Sequence, residues 1–213
     1  MVKSFSQLNQ HTDLPTAAST PRELLAVFYR QNNLEPDGGV NSASVKIQVS
    51  KGFSFFIPNF PSRRKAIIKH DIHHLVTGYS AGSILGESEI SAWELASGCK
   101  VYWMAFLIDA SGMMLGLLIN PKRVLMAFAR GRRTRNLYHD LMTDEEALGI
   151  PVSSLKTELG LDKHPADRSV SVMDVVWFLV CIFLGGIYSL LSLILLPLVV
   201  LYSIYEFARN QEK

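Results

Sequence analysis

The chain is poor in cysteine, with only Cys99 and Cys181 among 213 residues, far apart in sequence. That excludes a disulfide framework and fits a reducing compartment. Net charge is scarce too, +2 at pH 7, which gives no overall electrostatic case for nucleic acid as a partner. Arg130, Arg132, Arg133 and Arg135 do gather, but without the interleaved aromatics that stack bases. There is no internal repeat and no low-complexity tract. The opening stretch Met1-Val2-Lys3-Ser4-Phe5-Ser6-Gln7 lacks an apolar core of signal-peptide length, so the main domain is expected in the cytoplasm.

What the sequence has in quantity is apolar residues, 48% of the chain, and they are distributed unevenly. Val175 to Tyr205 contains no charged residue between Asp174 and Glu206. As one helix these roughly 31 residues would measure about 46 Å, against a hydrocarbon core of about 30 Å, so one span fits with length to spare. Two full spans need about 40 residues, and a turn at Gly185-Gly186 would leave a first arm of only about 10, which disfavours a two-span hairpin and leaves a half-inserted hairpin open. The expected organisation is a flexible arm over 1–19, a helical domain over 20–165, and a linker with a membrane segment, single-pass or monotopic, over 166–213. Lysine and arginine flank the run on both sides and set no orientation.

Within the domain, Thr20-Pro21-Arg22-Glu23 reads as a helix start, with Thr as N-cap, Pro at the first helical position and Glu closing a capping box. The segment from Asn32 to Ser42 is loop chemistry, and Val45 to Val49 alternates briefly as an extended segment would. Helices are expected over Arg63 to Val76 and Ser83 to Ala96, separated by the glycine-broken loop Gly78-Tyr79-Ser80-Ala81-Gly82. Val101 to Ile119 is apolar, carries only Asp109 as a charge, and is interrupted by Gly112 and Gly116. A mid-span carboxylate would cost about 3 kcal/mol on an insertion scale, which favours a core or monotopic helix there. Pro121 to Arg130 reads as an amphipathic helix, its arginines either against lipid headgroups or solvated, and Asp144 to Leu161 as a polar connector with a short helix.

The chemistry is concentrated in His70-Asp71-Ile72-His73-His74. On a helix, His70, Asp71 and His74 fall at about 0°, 100° and 40°, within one arc, and histidines four apart can reach one ion at about 2.0 to 2.2 Å. His73 points about 60° the other way, as a supporting group, a rim residue or a bystander. If the loop folds the chain back, the next helix runs antiparallel and supplies a further ligand from the Glu87 and Glu94 face. Glu87, nearer the turn, is the better ligand, and Glu94 a substitute or a hydrogen-bond acceptor behind the ligands. The expected site is therefore metal-binding and catalytic, built from His70, Asp71, His74 and Glu87. Zinc comes first among its metals, with iron, manganese and cobalt as alternatives. Three other motifs use similar letters. Membrane di-iron desaturases need several His-x-x-His-His boxes, and the only other histidines here are the isolated His11, His139 and His164. Helical zinc proteases need Glu where Asp71 stands. His-Asp phosphohydrolases need an upstream histidine, and none occurs between His11 and His70.

The sequence resembles the Coq-four family of coenzyme Q (ubiquinone) biosynthesis, whose signature is His-Asp-x-x-His, eleven residues, then Glu. The resemblance runs through His70-Asp71-Ile72-His73-His74, Thr77-Gly78-Tyr79, Ile84-Leu85-Gly86-Glu87, Ala129-Arg130-Gly131-Arg132-Arg133, Leu137 and Pro151 to Leu161, covering roughly Leu24 to Leu161. Twelve residues rather than eleven separate His74 from Glu87, and the C-terminal apolar run is outside the family's usual pattern. The resemblance implies an all-α helical bundle with a metal site between two antiparallel helices. It also implies action on a polyprenylated aromatic precursor, with decarboxylation or hydroxylation at the ring carbon bearing the carboxylate. The membrane and other quinone-biosynthesis proteins are the implied partners. The alternative function is a non-enzymatic lipid-binding scaffold that organises such enzymes.

Overall fold

The structure is a computed structural model, and it describes residues 19–31, 35–50, 53–166 and 169–211. The expected N-terminal arm, with His11, lies outside the described residues except for its last position. The fold is predominantly helical, as expected, with one two-stranded antiparallel hairpin among the described residues. In order these are α1 (Pro21–Gln31), β1 (Ser44–Ser50), β2 (Phe53–Pro58), α2 (Pro61–Thr77), α3 (Ile84–Ser97), α4 (Trp103–Ile119), α5 (Pro121–Gly131), α6 (Asp144–Gly149), α7 (Val152–Glu158), α8 (Val172–Ser192) and α9 (Leu196–Gln211). The extended segment expected at Val45 is β1, and it pairs Val45 with Ile57 and Lys46 with Phe56.

Local chemistry sets the element ends. Thr20 and Glu23 form the reciprocal bonds of a capping box at the start of α1. Proline opens α2, and Gly78, at φ 80°, closes it in the left-handed region that suits glycine. Ser83 caps α3 by accepting the Gly86 N–H. The core gathers Ile72 and Val76 of α2, Ile90 and Trp93 of α3, Phe128 of α5, and Leu155 of α7.

Two readings of the apolar stretches need correction. Gly112 and Gly116 do not interrupt α4, which runs unbroken from Trp103 to Ile119. They let it approach α3: a Cβ at Gly112 would lie 2.4 Å from Ser91 Oγ, and one at Gly116 2.4 Å from Ser88 Cβ. Asp109 accordingly faces inward and is buried, while Trp103, Phe106, Leu115 and Leu118 stay exposed on the far side of α4. The C-terminal run is also not one helix. It breaks into a 3-10 turn at Leu193–Leu195, before Pro197, which cannot donate within a continuing helix. α8 is long and apolar enough to cross a membrane by length and composition. Its first half nonetheless packs on the domain, with Phe178 against Phe128 at 5.2 Å between ring centroids.

The arginines of the cluster are all engaged by the protein itself, while Arg132 and Arg135 remain exposed. Arg130 is buried and donates to the carbonyls of Thr77 (2.9 Å) and His164 (2.8 Å). Arg132 and Arg133 both pair with Asp174 at the start of α8. Arg135 donates to the Glu158 carbonyl.

Candidate metal centre

α2 and the start of α3 bring His70, His74 and Glu87 together, with one ligand-type atom from each within 4.8 Å of the others. The Nε2 atoms of His70 and His74 are 3.3 Å apart. Glu87 Oε2 lies 3.5 Å from the first and 3.4 Å from the second. Each of these three side chains is aimed by a second contact. His74 turns Nδ1 to the Tyr79 carbonyl at 2.9 Å; a carbonyl only accepts, so Nδ1 carries the proton and Nε2 presents its lone pair. His70 turns Nδ1 to Glu94 at 3.1 and 3.2 Å, with the same consequence for its Nε2. Glu87 accepts the Gly82 N–H on Oε1 at 2.7 Å, which leaves Oε2 for the histidines. Two imidazole lone pairs and a carboxylate oxygen converging in this way form a site that can hold a metal ion.

The triangle has metal-like dimensions. A tetrahedral ion with bonds of about 2.0 to 2.1 Å holds its ligand atoms about 3.3 to 3.4 Å apart, close to the three edges here. His74 is buried, but the Glu87 side chain is 42% exposed and that of His70 25%, so the triangle opens on the Glu87 side. Without an ion, charge is shared among the ligands. Burial opposes charge on His70, but the Glu94 and Glu87 carboxylates outweigh it and raise its pKa well above the usual imidazole range. Burial likewise disfavours the Glu87 anion, but His74 and His70 hold its pKa well below normal.

Asp71, the fourth expected ligand, is not part of the triangle. At about 100° from His70 it faces α1, where Tyr29 donates a short hydrogen bond to its Oδ2. Burial raises its pKa. Glu94 is not a ligand of this triangle either, and takes the acceptor role considered for it.

Glu94 is the hub of a buried polar cluster. It also accepts from His73 Nδ1 at 2.6 Å and from the Tyr138 hydroxyl at 3.2 Å. The tautomer of His73 is fixed independently, because the Leu137 N–H donates to its Nε2 at 2.9 Å. Burial lowers the His73 pKa and keeps the ring neutral. Asp109 hydrogen-bonds Glu94 from α4, and burial beside that carboxylate raises its pKa well above normal, so it serves as a neutral acid. His70, Glu94 and Asp109 thus form a second close group, held together by protons. Sequence reasoning left His73 unassigned and did not connect Tyr138 or Asp109 to the site. The available signal was Glu94 itself, seven residues from Glu87 on one helix face.

No family model, curated protein or solved structure matches the chain.

Proposed function

We propose that the chain is a membrane-associated metalloprotein that binds zinc through His70, His74 and Glu87 and acts on a polyprenylated aromatic precursor of ubiquinone. The substrate class comes from the resemblance to the Coq-four family. The reaction class is ring decarboxylation, with hydroxylation at the same carbon if an oxidant is supplied. The observation that carries the metal reading is the ligand triangle with edges of 3.3, 3.4 and 3.5 Å, every corner aimed by its own hydrogen bond. Zinc bound there, with a fourth position open, would supply Lewis acidity toward a phenolate or carboxylate oxygen.

The chain's own residues supply the rest. Arg63 lies seven residues before His70 on the same face of α2. Its guanidinium donates to Asn59 Oδ1 at 3.1 Å, interacts electrostatically with Asp71 without a contact ion pair among the described residues, and keeps donors for the substrate's carboxylate. One turn away, Phe60 and Trp103 pack at 5.9 Å with both rings exposed, which continues the apolar surface of α4 toward Arg63. A prenyl tail would follow that surface.

The test is zinc content and turnover measured together. The purified protein is expected to hold about one zinc per chain, and His74→Ala to lose both metal and product while remaining folded. Undiminished product formation by that variant rules the reading out. The extensive exposed apolar surface favours a second reading, a lipid-binding scaffold with a structural metal. That reading expects metal-stripped protein to unfold and to show no chemistry when reloaded.

A further inference from the structure

We propose that the apolar segment 172–205 lies along one leaflet instead of crossing the bilayer, that the exposed face of α4 is embedded beside it, and that the chain re-emerges on the side it entered. This rests on the membrane association proposed above and specifies its geometry.

Both ends of the segment are fastened to the same domain. At its start Asp174 is held by Arg132 at 3.0 Å and by Arg133, and Phe178 packs on Phe128. Farther along, Gly185 still touches α4: a Cβ there would lie 3.2 Å from Met114 Sδ. At its end Ser203 accepts the Phe56 N–H at 2.9 Å and donates to the Phe56 carbonyl at 3.2 Å. Ser44 donates to the buried Glu206 at 3.1 Å, and Phe207 stands edge-on to Phe56 at 4.9 Å.

Helix geometry then excludes a crossing. From Asp174 to Ser192, α8 rises about 27 Å, nearly a whole hydrocarbon core, whereas the 3-10 turn and the helix from Leu196 to Ser203 can return at most about 18 Å. Had α8 stood upright in the bilayer, Ser203 could not reach β2. Lying flat along α4, it does.

The surface so formed suits lipid. α4 contributes no exposed charge, because Asp109 is turned inward, and the run from Val175 to Tyr205 has none. Cation and aromatic are paired at both margins, Arg132 over Trp177 and Arg209 over Tyr205, as befits residues at headgroup depth. An uncharged face as long as α8, with cations and aromatics at its margins, fits the surface of a leaflet.

The experiment uses the full chain in sealed membrane vesicles and a membrane-impermeant maleimide. Lys65→Cys reports on the exposed domain surface and Lys213→Cys on the far end, with the unsubstituted chain as control for Cys99 and Cys181. Equal labelling of both positions is expected, either without detergent or only after permeabilisation. Labelling of one position from outside and the other only after permeabilisation overturns the proposal in favour of a single span, while leaving membrane association intact. Recovery of the chain in the soluble fraction, as monomer or dimer, overturns both. Leu118→Lys, on the exposed face of α4, is expected to lower retention on phosphatidylcholine vesicles about tenfold; unchanged retention would show that α4 is not embedded.

Discussion

Glu94 accepts the Nδ1 proton of His70 at 3.1 Å from a position with no exposed surface, so a fully buried anion fixes which nitrogen of that imidazole faces the ligand triangle. The same carboxylate holds His73 at 2.6 Å. Its charge is compensated by several donors and not by one salt bridge, which is how a carboxylate survives in such surroundings.

Replacing it should therefore cost metal affinity without removing a ligand. Glu94→Gln is expected to weaken zinc binding about 10- to 100-fold, as loss of a partner behind a ligating histidine does. Asp109→Asn, which keeps a donor toward Glu94, should do less. A chelator competition titration reads both, and equal affinities for Glu94→Gln and the unsubstituted protein would remove Glu94 from the site.

Metal uptake should release a proton. His70 in the metal-free protein has a raised pKa, so its contribution to stability is fully present below the ordinary imidazole value of about 6.5 and is lost as pH rises through the raised one. Over that same window zinc affinity should climb, because the competing proton leaves. Calorimetric titration at neutral pH in two buffers of different ionisation enthalpy is expected to give about one proton released per zinc. A buffer-independent heat would contradict this.

Asp71 should behave as a structural residue. Asp71→Asn and Tyr29→Phe are each expected to destabilise the fold by about 1 to 2 kcal/mol, with a clear coupling energy between them and unchanged zinc stoichiometry. If Asp71→Asn empties the site of zinc, the ligand set is larger than the triangle.

Arg63 should matter to substrate and not to metal. Arg63→Gln is expected to raise KM about 10- to 100-fold for a ring carboxylic acid, the loss of one charge-assisted contact, with zinc content intact. An analogue without the carboxylate should bind both proteins alike. Discrimination persisting in the variant would place carboxylate recognition elsewhere.

Much of the centre was legible in the sequence because helix periodicity acts on neighbours. His70 and His74 sit four apart, and Glu87 follows one loop later, so all three could be named from spacing. Asp71 could not be sorted the same way. An arc of about 100° is wide enough to share a helix face but too wide for a short carboxylate to share an ion, and its true partner, Tyr29, lies 42 residues away. Tyr138 and Asp109 were hidden for the same reason, since both reach Glu94 through tertiary packing. The hairpin was half legible: β1 alternates, but Phe53 to Pro58 is too uniformly apolar to display a strand period. The break at Leu193–Leu195 had one signal in the sequence, Pro197 just beyond it, within a run otherwise uniform in its lack of charge.

Gly86 sits against the Ser80 backbone so closely that a Cβ would fall 2.0 Å from that carbonyl oxygen. The neighbouring Glu87 is therefore located by main chain resting on main chain. The loop before it is constrained as well, since Ala81 is buried, Gly82 stands at φ 75° and the Ser83 side chain caps α3, and any residue larger than hydrogen at position 86 levers the acid away.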